Sequence, residues 1–166
     1  YDCFADDTGL EIEALGGEPG VFSARYAGEE CNSERNIDKV LEKLSGEKNR
    51  AARFVTVIAL IMDGETLTFE GEVRGEILTE RHGEGGFGYD PIFKPLEADC
   101  SFAQMSADEK NSISHRGRAV FKLFKYLLST RLKALTIQII LRKYKLLLIC
   151  QFMKKICILK GYFILI

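Results

Sequence analysis

No two of the five cysteines stand at a Cys-x-x-Cys spacing, and their number is odd. Cys3, Cys31, Cys100, Cys150 and Cys157 are scattered through 166 residues. That pattern excludes a zinc knuckle and a disulfide framework, and fits reduced thiols in the cytoplasm. The residues after Tyr1 do not read as a basic-then-apolar leader. No apolar run reaches the roughly 20 residues that a membrane-spanning helix needs. The longest, 135–141 and 146–150, are separated by Arg142, Lys143 and Lys145. No glycine loop is followed by Gly-Lys-Ser/Thr, so a P-loop is excluded. Acidic residues are missing altogether from 126–166, which hold 8 basic ones. Residues 1–125 hold all 24 acids and 15 of the 23 Lys and Arg, a net charge of −9. The near-neutral total of −1 therefore joins two unlike pieces.

What is present has the composition of an ordinary globular domain. An apolar fraction of 46% and a charged fraction of 28% argue against wholesale disorder, and the length suits about one domain. Tyr1–Ala5 reads as the end of a buried strand broken by Asp6, Asp7 and Thr8. Leu10–Leu15 alternates apolar and polar residues, as a half-buried strand or an extended arm does. Ser33 is placed to cap a helix carrying Ile37, Val40, Leu41 and Leu44, with Gly46 as its stop. Ala52–Met62 and Leu67–Leu78 read as strands joined by the hairpin turn Asp63-Gly64. Arg81–Pro95 is a loop rich in glycine and aromatics. Ser106 and Glu109 have capping-box spacing. Ser114 can cap a further helix with Val120, Leu123, Phe124, Leu127 and Leu128 on one stripe. A hairpin between helical segments predicts an α/β domain.

Residues 129–166 differ, with no proline, no acid and only Gly161. Neither a helical nor a strand period lasts. The stretch reads as what an AT-rich frame encodes after a frameshift. The competing reading is a basic amphipathic segment for a membrane or nucleic acid. We therefore expect a domain over 1–128 and a basic apolar tail over 129–166.

Three constellations carry chemistry. In Ala5-Asp6-Asp7-Thr8-Gly9-Leu10, two adjacent acids would point to opposite faces of a strand. A carboxylate there can hold Mg²⁺ or act as a base on water; the plainer alternative is a turn. Between Gly83 and Phe93, four glycines in six residues precede Tyr89, Asp90 and Pro91. Glycine lets backbone approach closely. Phe87 or Tyr89 could stack on a planar base, and Asp90 could accept from a base edge or sugar. The alternative is a hairpin loop with its aromatics in the core. In Ser106–Arg118, Lys110 supplies a point charge, Arg116 a planar fork and His115 an imidazole at a helix start. A solvated or capping histidine is the alternative there, and His82 shows no partner pattern. Together these suit a phosphorylated, planar ligand with Mg²⁺.

Four segments, in order, resemble the inosine/xanthosine triphosphate pyrophosphatase family. They are Ala5–Leu10, Leu15–Gly28, Gly85–Phe93 and Ser112–Ala119. The resemblance covers about residues 1–128. It implies a mixed twisted sheet flanked by helices, and hydrolysis of ITP, dITP and XTP to monophosphate and pyrophosphate with Mg²⁺. It also implies a cytoplasmic homodimer with no nucleic-acid or membrane partner. By the same resemblance, Asp7 is proton acceptor and metal ligand, and Thr8 contacts substrate. Phe87, Gly88, Tyr89 and Asp90 form the base loop, Lys110 binds substrate, and His115 with Arg116 reads the 6-oxo edge. The family's Thr/Ser-x-Asn-x-x-Lys loop and a metal-binding Glu have no counterpart ahead of Tyr1. We therefore expect a fold without its first strand and helix, and weak activity of the chain as it stands. A nucleotide-binding remnant without catalysis, or a pyrophosphatase for pyrimidine nucleotides, are the alternatives.

Overall fold

The computed structural model describes residues 2–130. The expectations for the tail fall almost wholly on 131–166, outside the described residues. The chain divides into two units, 1–123 and 124–166. Of the second, residues 124–130 are described and are helical, with the Ser129 and Thr130 hydroxyls both donating to the Tyr126 carbonyl.

The first unit is built on a five-stranded sheet. Its strands are β1 (Cys3–Ile12), β2 (Pro19–Gly20), β3 (Ala51–Met62), β4 (Glu65–Ile77) and β5 (Phe93–Pro95), in the order β2-β1-β3-β4-β5. The expected α/β architecture holds, and the chain pairings within the described sheet are all antiparallel. Helix α1 spans Ser33–Lys43, α2 spans Ala107–Ile113, and α3 occupies residues 115–123.

The hairpin is the element most directly dictated by local sequence. Asp63 and Gly64 both adopt left-handed backbone (φ 53° and 80°), which matches a two-residue turn to the twist of its strands. Along β3, Ala52, Phe54, Thr56, Ile58 and Leu60 are buried on one face, the period of two that a half-covered strand requires. Of these, Ala52 and Phe54 share one core with Leu10 and Ile12 of β1, Ile37 and Val40 of α1, Val73 and Ile77 of β4, and Ile92, Phe93 and Phe102. Each large apolar side chain so buried contributes about 1.5–3 kcal/mol relative to exposure.

Several local expectations shift. The strand β1 is not broken at the acids. Asp6, Asp7 and Thr8 pair with Ile58, Val57 and Thr56, and residues 3–7 are exposed, not buried. A long partner strand supplies ladder bonds throughout, and the exposed carboxylates keep their hydration. The cap of α1 is Asn32, whose side chain accepts from Arg35 N at 3.0 Å, with Ser33 already helical. Leu10–Leu15 is strand to Ile12 and a 3₁₀ turn from Glu13.

Ser114 does cap α3, accepting from Gly117 N at 3.0 Å. The expected apolar stripe stays largely outside: Val120, Phe124, Leu127 and Leu128 are exposed. The residues of α3 that pack inward are His115 and Ala119, the latter over Gly71 of β4. A Cβ on Gly71 would lie 2.1 Å from the His115 carbonyl oxygen and 2.5 Å from Ala119 N. Backbone cannot yield as a side chain can. Gly71→Ala is therefore expected to destabilise by about 1–3 kcal/mol, seen as a lower Tm in thermal unfolding, with His115 displaced.

Candidate active site

Alternation along β1 sorts the two acids, as expected of a strand. Asp6 shares a face with Thr8 and with Thr56 on β3, and Asp7 takes the other face. Arg116, in the first turn of α3, reaches the first pair. Its Nε donates to Asp6 Oδ2 at 3.1 Å and its Nη2 to Thr8 Oγ1 at 3.1 Å. The Thr8 and Thr56 hydroxyls lie 2.7 Å apart, and Thr56 is fully buried. The Asp7 carboxylate is exposed, and its Oδ1 accepts from Thr8 N at 2.9 Å.

The glycine-aromatic loop divides its aromatics between solvent and core. Gly86 has φ +76°, and a Cβ there would lie 2.1 Å from Asp90 Oδ2. The glycine lets the loop fold tightly over that carboxylate. Asp90 is buried; its Oδ2 accepts from Phe87 N at 2.7 Å and is ion-paired with Lys110. Asp90 is thus committed inside the protein, where the sequence left it open to a base or sugar. Phe87 is 65% exposed, with Lys110 Nζ 4.4 Å from its ring centre and the Arg116 guanidinium at 5.8 Å. Tyr89 is buried, and its hydroxyl donates to the Ser23 carbonyl at 2.8 Å. Burial raises its pKa, so the phenol stays protonated. Gly88, with φ +60°, turns the chain between the two rings.

His115 is neither solvated nor a cap. It is 4% exposed and stacks on Phe54, centroids 4.6 Å apart and planes at 18°. Phe102 lies beside it at 6.4 Å. Burial lowers its pKa to about 3, helped by the charges of Arg116 and Lys110. The imidazole is therefore neutral, with one donor and one acceptor nitrogen. Its Nδ1 is buried with no hydrogen-bond partner among the described residues. A buried polar atom left unpaired is costly and marks a place where a ligand can repay the loss. The other histidine, His82, lies outside this group, its Nε2 3.7 Å from Glu80.

These residues surround one cavity of about 390 Å³, lined among others by Asp7, Thr8, Phe87, Tyr89, His115 and Arg116. A second hollow of about 300 Å³ shares Phe87, His115 and Arg116 and adds Lys110. Between them the two hollows are lined by each residue that the family resemblance named, from Asp7 to Arg116, and His82 is not among them. A larger hollow of about 770 Å³, bordered by Glu11, Arg53 and Arg74, contains none of them. There Glu11 is paired with Arg53, and Arg53 and Arg74 with Glu72, so size alone is a poor guide here.

Sequence reasoning missed Thr56, Ser23 and Asn36, and weighed Asp6 only as the neighbour of Asp7. Ser23 Oγ accepts from Leu10 N at 2.8 Å and donates to Gly20 O at 2.6 Å. Asn36 is buried, donates to Ala24 O at 2.8 Å and accepts from Ala27 N at 2.7 Å. This pins the 3₁₀ turn Ser23–Arg25 against α1. The available signal was a polar residue at an apolar-period position: Thr56 between Phe54 and Ile58, Asn36 beside Ile37.

Among the described residues, no group of three or more His, Cys, Asp or Glu is arranged to hold a metal, and no helix is long and apolar enough to cross a membrane.

The Ham1 family model matches residues 1–126. A dITP/XTP pyrophosphatase of Flavobacterium johnsoniae is 53% identical over 131 residues, 79% of this chain and 68% of that protein. One from Christiangramia forsetii is 58% identical over 127 residues, 76% of this chain and 67% of that protein. The Staphylococcus aureus Ham1 protein structure superposes with a TM-score of 0.76 at 48% identity, over 78% of this chain and 68% of that one. A HAM1 protein of Coxiella burnetii gives 0.74 at 43%, over 77% and 68%. This chain spans about two thirds of the length of these relatives. On the extent of the family match and the identities over the shared residues, the chain belongs to the Ham1 family.

Proposed function

We propose that this chain carries the nucleotide site of a pyrophosphatase that hydrolyses ITP, dITP and XTP to the monophosphate and pyrophosphate. The observation that carries the reading is His115, buried, neutral and unpaired at Nδ1, beside Arg116 in a cavity bounded by an exposed aromatic. The relatives' activity on dITP and XTP supports it.

In this reading Phe87 stacks on the base, and Lys110 supplies a cation at that end of the cavity. His115 and Arg116 direct donors at the 6-oxo group. Adenine presents an amino group there, so its donors would face donors and both would lose their water. A site built to hydrogen-bond one group rejects the analogue lacking it strongly. Thr8 touches the substrate, and Asp7 takes the proton from the attacking water. One or two carboxylates with water and substrate phosphates suffice for Mg²⁺, and Asp7 fits as such a ligand. When bound, the ion supplies neutralisation of phosphate charge. The enzyme is read as a cytoplasmic homodimer.

The test is pyrophosphate release from dITP, XTP, dATP and CTP with Mg²⁺. Preference for dITP and XTP supports the reading, and equal rates on all four overturn it. A preference for CTP would favour the pyrimidine alternative. Selective binding of IMP without turnover by this chain would favour the remnant.

A further inference from the structure

Resting on that functional reading, the geometry points to Asp6 and Thr56 as positioning residues that hold Arg116 as a reader of the base. Neither was expected to touch the base. Asp6 and Thr8 stand two apart on one face of β1, and the Arg116 guanidinium spans them, Nε to Asp6 and Nη2 to Thr8. Among the described residues its Nη1 has no protein partner, so those donors remain for a ligand.

The ion pair does little for stability. Its side chains are 40% and 42% exposed, and pairs so exposed are screened. Its consequence is geometric and electrostatic. A guanidinium already paired with a carboxylate is a poor independent phosphate site but keeps its planar fork for a neutral carbonyl. Behind it, Thr56 sits across from Thr8 on β3 with no exposed surface. A buried hydroxyl is costly unless bonded. Its bond is to Thr8 Oγ1, which fixes the oxygen that receives Arg116. The order of support is Thr56 to Thr8 to Arg116, with Asp6 closing the clamp.

The experiment uses the full 166-residue chain, with IMP, AMP and inorganic pyrophosphate as probes in equilibrium binding. In parallel, the Arg116 side-chain Nε–H is followed by NMR. For Asp6→Asn, we expect the IMP-over-AMP preference to fall about tenfold. Pyrophosphate should bind more tightly, because an unpaired cation is released, and the Nε–H signal should lose its protection from exchange. Thr56→Val should act in the same direction on preference, by about threefold, and Thr56→Ser should restore it. A merely structural role would lower both affinities together and leave Thr56→Ser no better than Thr56→Val. The proposal is overturned if Asp6→Asn keeps both the preference and the protected Nε–H. A wild-type chain that shows no preference for IMP overturns the functional reading instead. In that case the NMR signal still decides whether Asp6 holds Arg116.

Discussion

Asp90→Ala is expected to cost about 3–5 kcal/mol, as removing one partner of a buried ion pair does. Asp90 and Lys110 side chains are 3% and 13% exposed. Removing the carboxylate leaves the ammonium inside the protein with no compensating charge and takes the acceptor from Phe87 N. The turn at Gly86 then has nothing to fold over. Urea unfolding measures the loss. The double variant Asp90→Ala/Lys110→Met should recover a substantial part of it, since a pair replaced together leaves no orphan charge. Asp90→Asn should fall between, because the amide oxygen still accepts from Phe87 N. A single-variant cost below about 1 kcal/mol would mean that the pair behaves as a surface pair and does not hold the loop.

Stability is also expected to fall on mild acidification, through His115. Its pKa is about 3 in the folded protein against an ordinary 6.5. Between these values the unfolded chain binds a proton that the folded one does not, so stability rises with pH across that window and is level above 6.5. From pH 7.5 to 5 the loss is about 2 kcal/mol. Carboxylates act lower down. Glu18, held by Lys43, Glu72, held by Arg53, and Glu109, held by Ser106, have lowered pKa values, and their contribution disappears below about pH 4.5. The window above pH 5 therefore isolates the imidazole. His115→Leu should be nearly flat there in denaturant unfolding. A wild-type protein equally flat would show that the ring titrates in the folded protein as it does in the unfolded chain.

Sequence disclosed those features whose cause is local. The turn Asp63-Gly64, the capping box at Ser106 and the cap at Ser114 each depend on a few consecutive residues, and each was legible. Features set by register were not. Two acids and a threonine read as a break, yet β3 offers β1 a partner at every position from Cys3 to Ile12. The fit of Ala119 against Gly71 depends on two residues 48 apart, and no local pattern announces it. The site divides in the same way. Its members were visible as residue types, but the partition of Phe87 outward and Tyr89 inward depends on where the Ser23 carbonyl lies. Similarly, Asp90 and Lys110 both looked available to a ligand, and the fold has largely spent each on the other.

The bond from the Tyr89 hydroxyl to Ser23 has a mechanical consequence. Ser23 is itself tied to Leu10 and Gly20, and Asn36 ties the adjoining turn to α1. One wall of the cavity is therefore braced to the sheet and to a helix at once. The exposed Phe87 ring also lines the cavity, and its residue is held by Phe87 N donating to Asp90 Oδ2, by its carbonyl accepting from Asp90 N, and by the cations near the ring. A nucleotide entering the cavity would meet a buried, braced ring at Tyr89 and an exposed one at Phe87. Adjustment to bases of different size is then expected at Phe87, with Tyr89 held in place by its tie to Ser23.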